Sequence, residues 1–264
     1  EPDWYAAMAR PLEALRDLQE KHKCPILCAG DVFDNWNSRP ELVNFAIAHL
    51  PEMWAVPGQH DLPAHNLDHV EKSAYWTLVM AGVIKPLAEW QIDGGMIYGF
   101  PWGVEITPPK ENGGINICVA HKYVWIKGHS FTGAPEDRRV NAVKGLTNFD
   151  VCIFGDNHSG FLTRIGTRTN VFNCGTFMRR RSDEADYLPQ VGLIYSDGSV
   201  VPHLLDISRD ILDSTKVEPS VDQARLDAQE FLAQLNGLSE TSLDFRAAIM
   251  QQISAGGVRP AVCK

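Results

Sequence analysis

The chain has 264 residues, 44% of them hydrophobic and 22% charged, with 21 Gly and 16 Pro. That composition suits a sizeable core and excludes global disorder, and no run of 18 apolar residues suggests a membrane span. The formal charge of −9 argues against a general nucleic-acid coat but is compatible with a local basic groove.

In chain order, residues 4–22 place Tyr5, Met8, Leu12, Leu15 and Leu18 at helical spacing, with Pro11 marking a start or a kink. "CPILCAG" (24–30) is a short apolar run ended by Gly, a buried-strand signal. Residues 39–50 form a helix with Pro40 near its first turn, and "EMWAVPG" (52–58) returns to strand. This strand–helix–strand unit predicts parallel neighbours. A further helix is expected over 67–82, then a hairpin over 91–100 turning at Asp93-Gly94. "GINICVAH" (114–121) and "FDVCIFG" (149–155) read as buried strands, followed by closely spaced strands with a second hairpin turn at Asp197-Gly198. The expected fold class is α/β, a two-sheet sandwich flanked by helices. The predicted domain spans 1–205. A C-terminal extension covers 206–264, with two amphipathic helices over 221–238 and 242–257.

Six cysteines form no CxxC pair, and most lie in apolar runs. They read as buried hydrophobes in a reducing compartment, and with no export signal the expected location is the cytoplasm. The Asn157-His158-Ser159 sequon is then a chance match.

Polar clusters follow four of the apolar runs. "CAGDVFD" supplies Asp31 and Asp34, "VPGQHD" supplies Gln59, His60 and Asp61, "VAH" supplies His121, and "GDNH" supplies Asp156 and His158. One such cluster would be a helix cap or a polar turn. Four in register at the carboxyl ends of strands point to a site. Their oxygen and imidazole donors, without thiolate, suit Mn²⁺, Mg²⁺ or Fe. His65 is a candidate for the mouth of that site, whereas His22, His49, His69, His129 and His203 read as ordinary surface or partnerless histidines.

The order GDxxD, then a Gly-amide-His-Asp, then a strand-end His, then Gly-x-x-His resembles the signature of calcineurin-like metallophosphoesterases over about residues 24–205. Within that family the chain looks closest to SbcD/Mre-type recombination and repair nuclease subunits, in their bacteriophage and prophage versions. "GDVFDNW", "VPGQHDLP" and "NCGTFMRRRSDEADYLPQVGLIY" carry the likeness.

The resemblance implies a metal-dependent phosphodiesterase, a DNA exonuclease and endonuclease working by two-metal hydrolysis. It implies two divalent ions, Mn²⁺ ahead of Mg²⁺ or Fe²⁺. Asp31 would bridge them, Gln59, His121 and Asp156 would complete one shell, and His158 would bind the other ion. His60, held by Asp34, would face the substrate phosphate, and Asp61 would brace its loop. DNA, a SbcC/Rad-type coiled-coil ATPase and a second copy of the chain are the implied partners. Arg179, Arg180 and Arg181, with Arg164 and Arg168 on a neighbouring hairpin, are the candidates for phosphate-backbone contact; a solvated basic turn is the alternative. A phosphatase of small phosphoesters and a non-catalytic scaffold or DNA-binding subunit remain as rivals.

Three departures from the family pattern stand out. Gln59 replaces an Asn, and Asp156 replaces the first His of GHxH, each exchanging one competent donor for another. No DxH precedes Asp31, so the expectation is a domain incomplete at its N-terminus, with a single-metal site as the other possibility.

Overall fold

The computed structural model describes residues 3–110, 113–131, 133–179 and 186–210. The first helix, α1 (Trp4–His22), starts where Asp3 accepts the Tyr5 N–H at 2.9 Å and stops at Lys23, whose φ of 53° is left-handed. It runs through Pro11 instead of starting there. It is held by side-chain bonds from Arg16 to the His49 carbonyl (2.9 Å) and from Gln19 to the Glu52 carbonyl (3.0 Å).

Three short parallel strands, β1 (Leu27–Cys28), β2 (Met53–Ala55) and β3 (Ile84–Pro86), pair in that order. The crossovers are helices α2 (Pro40–His49), with Pro40 at its first turn as expected, and α3 (Ala74–Met80). The helix expected over 67–82 is split. A 3-10 segment (Leu67–Lys72) ends at extended Ser73, whose hydroxyl accepts the Trp76 N–H (3.2 Å) and so starts α3 afresh.

The second sheet contains β4 (Glu89–Ile92), β5 (Gly95–Phe100), β6 (Ile115–Ala120), β7 (Val151–Phe154), β8 (Phe161–Ile165) and β9 (Thr169–Asn173), in the order β4-β5-β6-β7-β9-β8. Its four inner strands are parallel and its outer pairs antiparallel. The β4–β5 hairpin turns on Asp93-Gly94, since Ile92 pairs with Gly95 and Gly94 takes a φ of 77° that L-residues avoid. A separate hairpin, β10 (Gln190–Ile194) and β11 (Val200–Leu204), closes near Gly198, whose N–H reaches the Tyr195 carbonyl.

Alternation along β5, β6 and β7 sorts side chains to two faces. Ile97, Ile117, Val119, Val151 and Ile153 pack with Leu27, Trp54 and Val56 from the first sheet and with Val200 and Ile194 from the hairpin. Tyr98, Phe100, Cys118, Cys152 and Phe154 pack instead against Val124, Val140, Leu146 and Phe149 from the segment between β6 and β7. The outer face of the first sheet is covered by α2 and α3 through Ala46, Tyr75 and Leu78. This is the expected α/β sandwich with helices outside. Phe154 is wholly buried, and truncating it to Ala would cost about 3–5 kcal/mol.

Cys24, Cys28, Cys118, Cys152 and Cys174 are free thiols. Burial pushes the Cys28 thiol up to about 12, which keeps it unreactive. Among the described residues no helix is long and apolar enough to cross a membrane. The expected C-terminal helices, and Arg180 and Arg181, lie outside the described residues.

Candidate metal centre

Asp31 follows β1, Gln59 follows β2, His121 follows β6 and Asp156 follows β7. Because β1 and β2 run parallel, as do β6 and β7, and the sheets face each other, the loops at their carboxyl ends meet at one edge of the sandwich. Both carboxylate residues sit in the left-handed region, Asp31 at φ 54° and Asp156 at φ 75°. Asp tolerates that conformation better than most residues, and such strain concentrates at functional sites.

His121 defines the centre. Its Nδ1 is bonded to the Ala29 carbonyl, so Nδ1 carries the proton and Nε2 presents a lone pair in the neutral ring. That Nε2 lies 2.6 Å from Gln59 Oε1 and 3.3 Å from Asp31 Oδ2. The Gln59 amide is oriented from its other end, where Nε2 donates to Asp156 Oδ1 at 3.0 Å. Acceptor atoms from Gln59, Asp31 and His121 therefore face one another.

Such an arrangement is stable only with a cation or a proton among the lone pairs. Burial alone would push the His121 imidazole down. The bonded Asp31 carboxylate, the Ala29 carbonyl and Asp156 outweigh it and hold the group above its ordinary value. Asp31, His121 and Asp156 each offer one ligand atom, all within 4.8 Å of one another. Hard oxygens with one imidazole suit a divalent ion of the Mn²⁺ or Mg²⁺ kind. The residues present fit such an ion.

The surroundings leave little freedom. A Cβ on Gly58 would lie 2.1 Å from Asp31 Oδ1, and one on Gly30 would lie 2.5 Å from His121 Nδ1. Asp61, fully buried, accepts the N–H groups of Gly58 (3.0 Å), Phe33 (3.1 Å) and Val32 (3.2 Å), tying the Asp31 loop to the Gln59 loop. Burial pushes its carboxyl up to about 6, the Gly58 and Phe33 amides pull it back, and the Asp31 charge adds to the rise. These bonds make it a brace between the loops, the role that the resemblance implies for it.

Two residues that sequence reasoning passed over hold the Asp156 loop. Asn157 Nδ2 donates to the carbonyls of Val124 (2.8 Å) and His129 (2.9 Å), while its Oδ1 accepts the Ser159 N–H (2.9 Å). Asn173 Nδ2 donates to the carbonyls of Asn157 (2.7 Å) and Ser159 (3.1 Å). Both are buried. The available signal was a carboxamide at the end of an apolar strand, where a buried amide must find partners.

The other expected residues lie around this centre. His60 is exposed; its backbone N–H donates to Asp31 Oδ1 (2.9 Å), and its Nε2 is 4.0 Å from Asp31 Oδ2. The structure thus ties His60 to Asp31. Asp34 is exposed on the bend that follows Asp31. His158 is exposed on the Asp156 loop and is not one of the three converging ligands. His65 bonds the Gln59 carbonyl at 2.9 Å through Nδ1.

Arg179 is bonded to Asp210 at 3.2 Å, and Arg10 reaches the same carboxylate at 2.9 Å, so the Arg179 charge is engaged within the fold. Arg168 pairs with Asp150, and Arg164 bonds the Thr167 carbonyl. Since β9 runs parallel to β7, its first residues lie beside Val151, at the end of the sheet opposite Asp156. Strand direction thus sets Arg164 and Arg168 away from Asp156.

No protein-family model and no curated protein matches this chain. Among solved structures, the TT1561 protein of Thermus thermophilus is similar at 13% identity with a TM-score of 0.45, over 74% of this chain and 93% of that one. A candidate 5'-nucleotidase from Staphylococcus aureus, in complex with alpha-ketoglutarate, is similar at 13% identity with a TM-score of 0.44, over 84% of this chain and 52% of the other.

Proposed function

We propose that the chain is a divalent-metal-dependent phosphoester hydrolase of the calcineurin-like metallophosphoesterase kind, acting on phosphodiester bonds of DNA. The observation that carries this reading is the convergence of Asp31, Gln59 and His121 acceptor atoms, with Asp156 behind the Gln59 amide. Asp31, Gln59, His121 and Asp156 would hold an ion, and His158 is the remaining donor on the same loop for a second. A bound Mn²⁺ would supply Lewis acidity toward the phosphoryl oxygens and a deprotonated water at neutral pH.

The chain's own groups do the rest. The Ala29 carbonyl fixes the His121 tautomer. Asp61 keeps the two ligand loops at fixed separation, and Asn157 fixes the third. The exposed imidazole of His60, beside Asp31, is placed to give a proton to the leaving oxygen of a bound ester.

The test is hydrolysis of bis(p-nitrophenyl) phosphate and of linear duplex DNA, each with and without Mn²⁺, by the wild type and His60→Ala. Nitrophenolate leaves without protonation, so His60→Ala should lower kcat on DNA about 100-fold and on the nitrophenyl ester far less. Equal activity after chelation of metal, or equal loss on both substrates, would sink the reading.

The internal pairing of Arg179 with Asp210 favours a second reading, hydrolysis of small phosphoesters, which the same assay separates through the DNA arm. Metal binding without hydrolysis of either substrate would identify a scaffold. A coiled-coil ATPase and a second copy of the chain belong to the nuclease version and are tested by co-purification.

A further inference from the structure

A fifth strand end opens at the same edge. β5 runs parallel to β6 in register, Phe100 opposite Ala120, so the residues after Phe100 emerge beside His121. The side chain placed there is Trp102. Its backbone N–H donates to the Pro57 carbonyl at 3.1 Å, one residue before Gly58, which anchors it to the Gln59 loop. Its indole meets the His121 imidazole edge-on, with centroids 6.2 Å apart and planes at 65°.

Core aromatics of this fold are sealed, Tyr75 at 1% and Phe149 at 0% exposure, whereas Trp102 is only half-buried. An indole left partly in water at the rim of a ligand cluster is an apolar platform without a complete protein cover. The segment after His121 adds a second aromatic pair, Tyr123 and Phe131, 5.2 Å apart. That segment is tied to the Asp156 loop through the bonds from Asn157 to Val124 and His129.

Resting on the phosphoester reading above, we propose that Trp102 is the platform on which the nucleobase next to the bound phosphate stacks. The substrate is then a nucleotide or the end of a nucleic-acid strand rather than an aliphatic phosphoester. Stacking on an aromatic face is tolerant of base identity, because every base has such a face, so the site selects for a base without selecting which one.

The test is calorimetric titration of the manganese-loaded full chain with thymidine 5'-thiophosphate and, separately, with inorganic thiophosphate, neither of which requires turnover. The wild type should bind the nucleotide at least about tenfold more tightly than thiophosphate. Trp102→Ala should lose that margin while keeping its affinity for thiophosphate, and Trp102→Phe should retain most of it. A thymidine octamer carrying the same 5'-thiophosphate separates the two sources of the base. Tighter binding than the mononucleotide assigns a strand end, and equal binding assigns the nucleotide.

Equal wild-type affinity for nucleotide and thiophosphate would overturn the proposal and leave the phosphoester reading intact. Loss of thiophosphate binding in Trp102→Phe would also overturn it, since the indole would then be supporting His121 rather than the base. Absence of thiophosphate binding to the wild type would overturn the phosphoester reading itself, and this proposal with it.

Discussion

Asn157→Ala tests whether the site is held by its loops or merely assembled from them. Asn157 is 5% exposed, and its side chain makes three bonds to backbone groups, two through Nδ2 and one through Oδ1. Each such bond contributes about 0.5–1.5 kcal/mol net, and each buried group left without a partner costs about 1–3 kcal/mol. Some of the freed carbonyls would recover water, so the expected loss is about 2–4 kcal/mol in urea denaturation. Because Asp156 adjoins this anchor in a left-handed conformation, the same change should weaken Mn²⁺ binding about tenfold. Asn157→Asp should be worse than Ala, since it keeps the acceptor for Ser159 but sets a carboxylate against two carbonyls. Asn148→Ala, which removes an exposed side-chain bond to the Gly145 carbonyl, should stay within about 0.5 kcal/mol and serves as the control. A loss at Asn157 no greater than at Asn148 would refute the reasoning.

Two further changes probe other parts of the fold. Gly58→Ala puts a methyl 2.1 Å from Asp31 Oδ1; about 1–3 kcal/mol of strain is expected in thermal unfolding, together with a displaced carboxylate and weaker Mn²⁺ binding by calorimetry. For Asp150, burial alone would push the carboxyl up. The Arg168 guanidinium and the Asn116 N–H (2.8 Å) override it and hold the carboxyl below its ordinary value. Between its folded and unfolded values the unfolded chain binds more protons, so stability is present above the ordinary carboxylate range and is lost as pH falls through the folded value. Asp150→Asn should therefore lower the urea midpoint at about pH 7 and converge on the wild type at about pH 2. A difference independent of pH would contradict the assignment.

Much of the site could be read before the structure because its donors sit at strand ends. Asp31, Gln59, His121 and Asp156 each follow an apolar run, and strand direction does the rest. Turn chemistry was equally legible, since Asp93-Gly94 and Asp197-Gly198 need backbone conformations that glycine supplies. Ser73 was harder to read. Its capping bond is a local competition that hydrophobic spacing over 67–82 does not reveal. The contact between His60 and Asp31 depends on how two loops close on Asp61, and sequence spacing carries no record of that. The arginine pairings were not legible, because Arg168 meets Asp150 only through the parallel pairing of β7 and β9, and Arg179 finds Asp210, 31 positions on. Trp102 was passed over because a lone aromatic in a loop has no periodicity.

The central claim is that the lone pairs of Asp31, Gln59 and His121 await a divalent ion. The most direct measurement is calorimetric titration of the full chain with Mn²⁺ at about pH 7, repeated with Asp31→Asn. The account predicts saturable binding, at least about tenfold weaker in Asp31→Asn. Absence of binding, or identical affinity in Asp31→Asn, would contradict it.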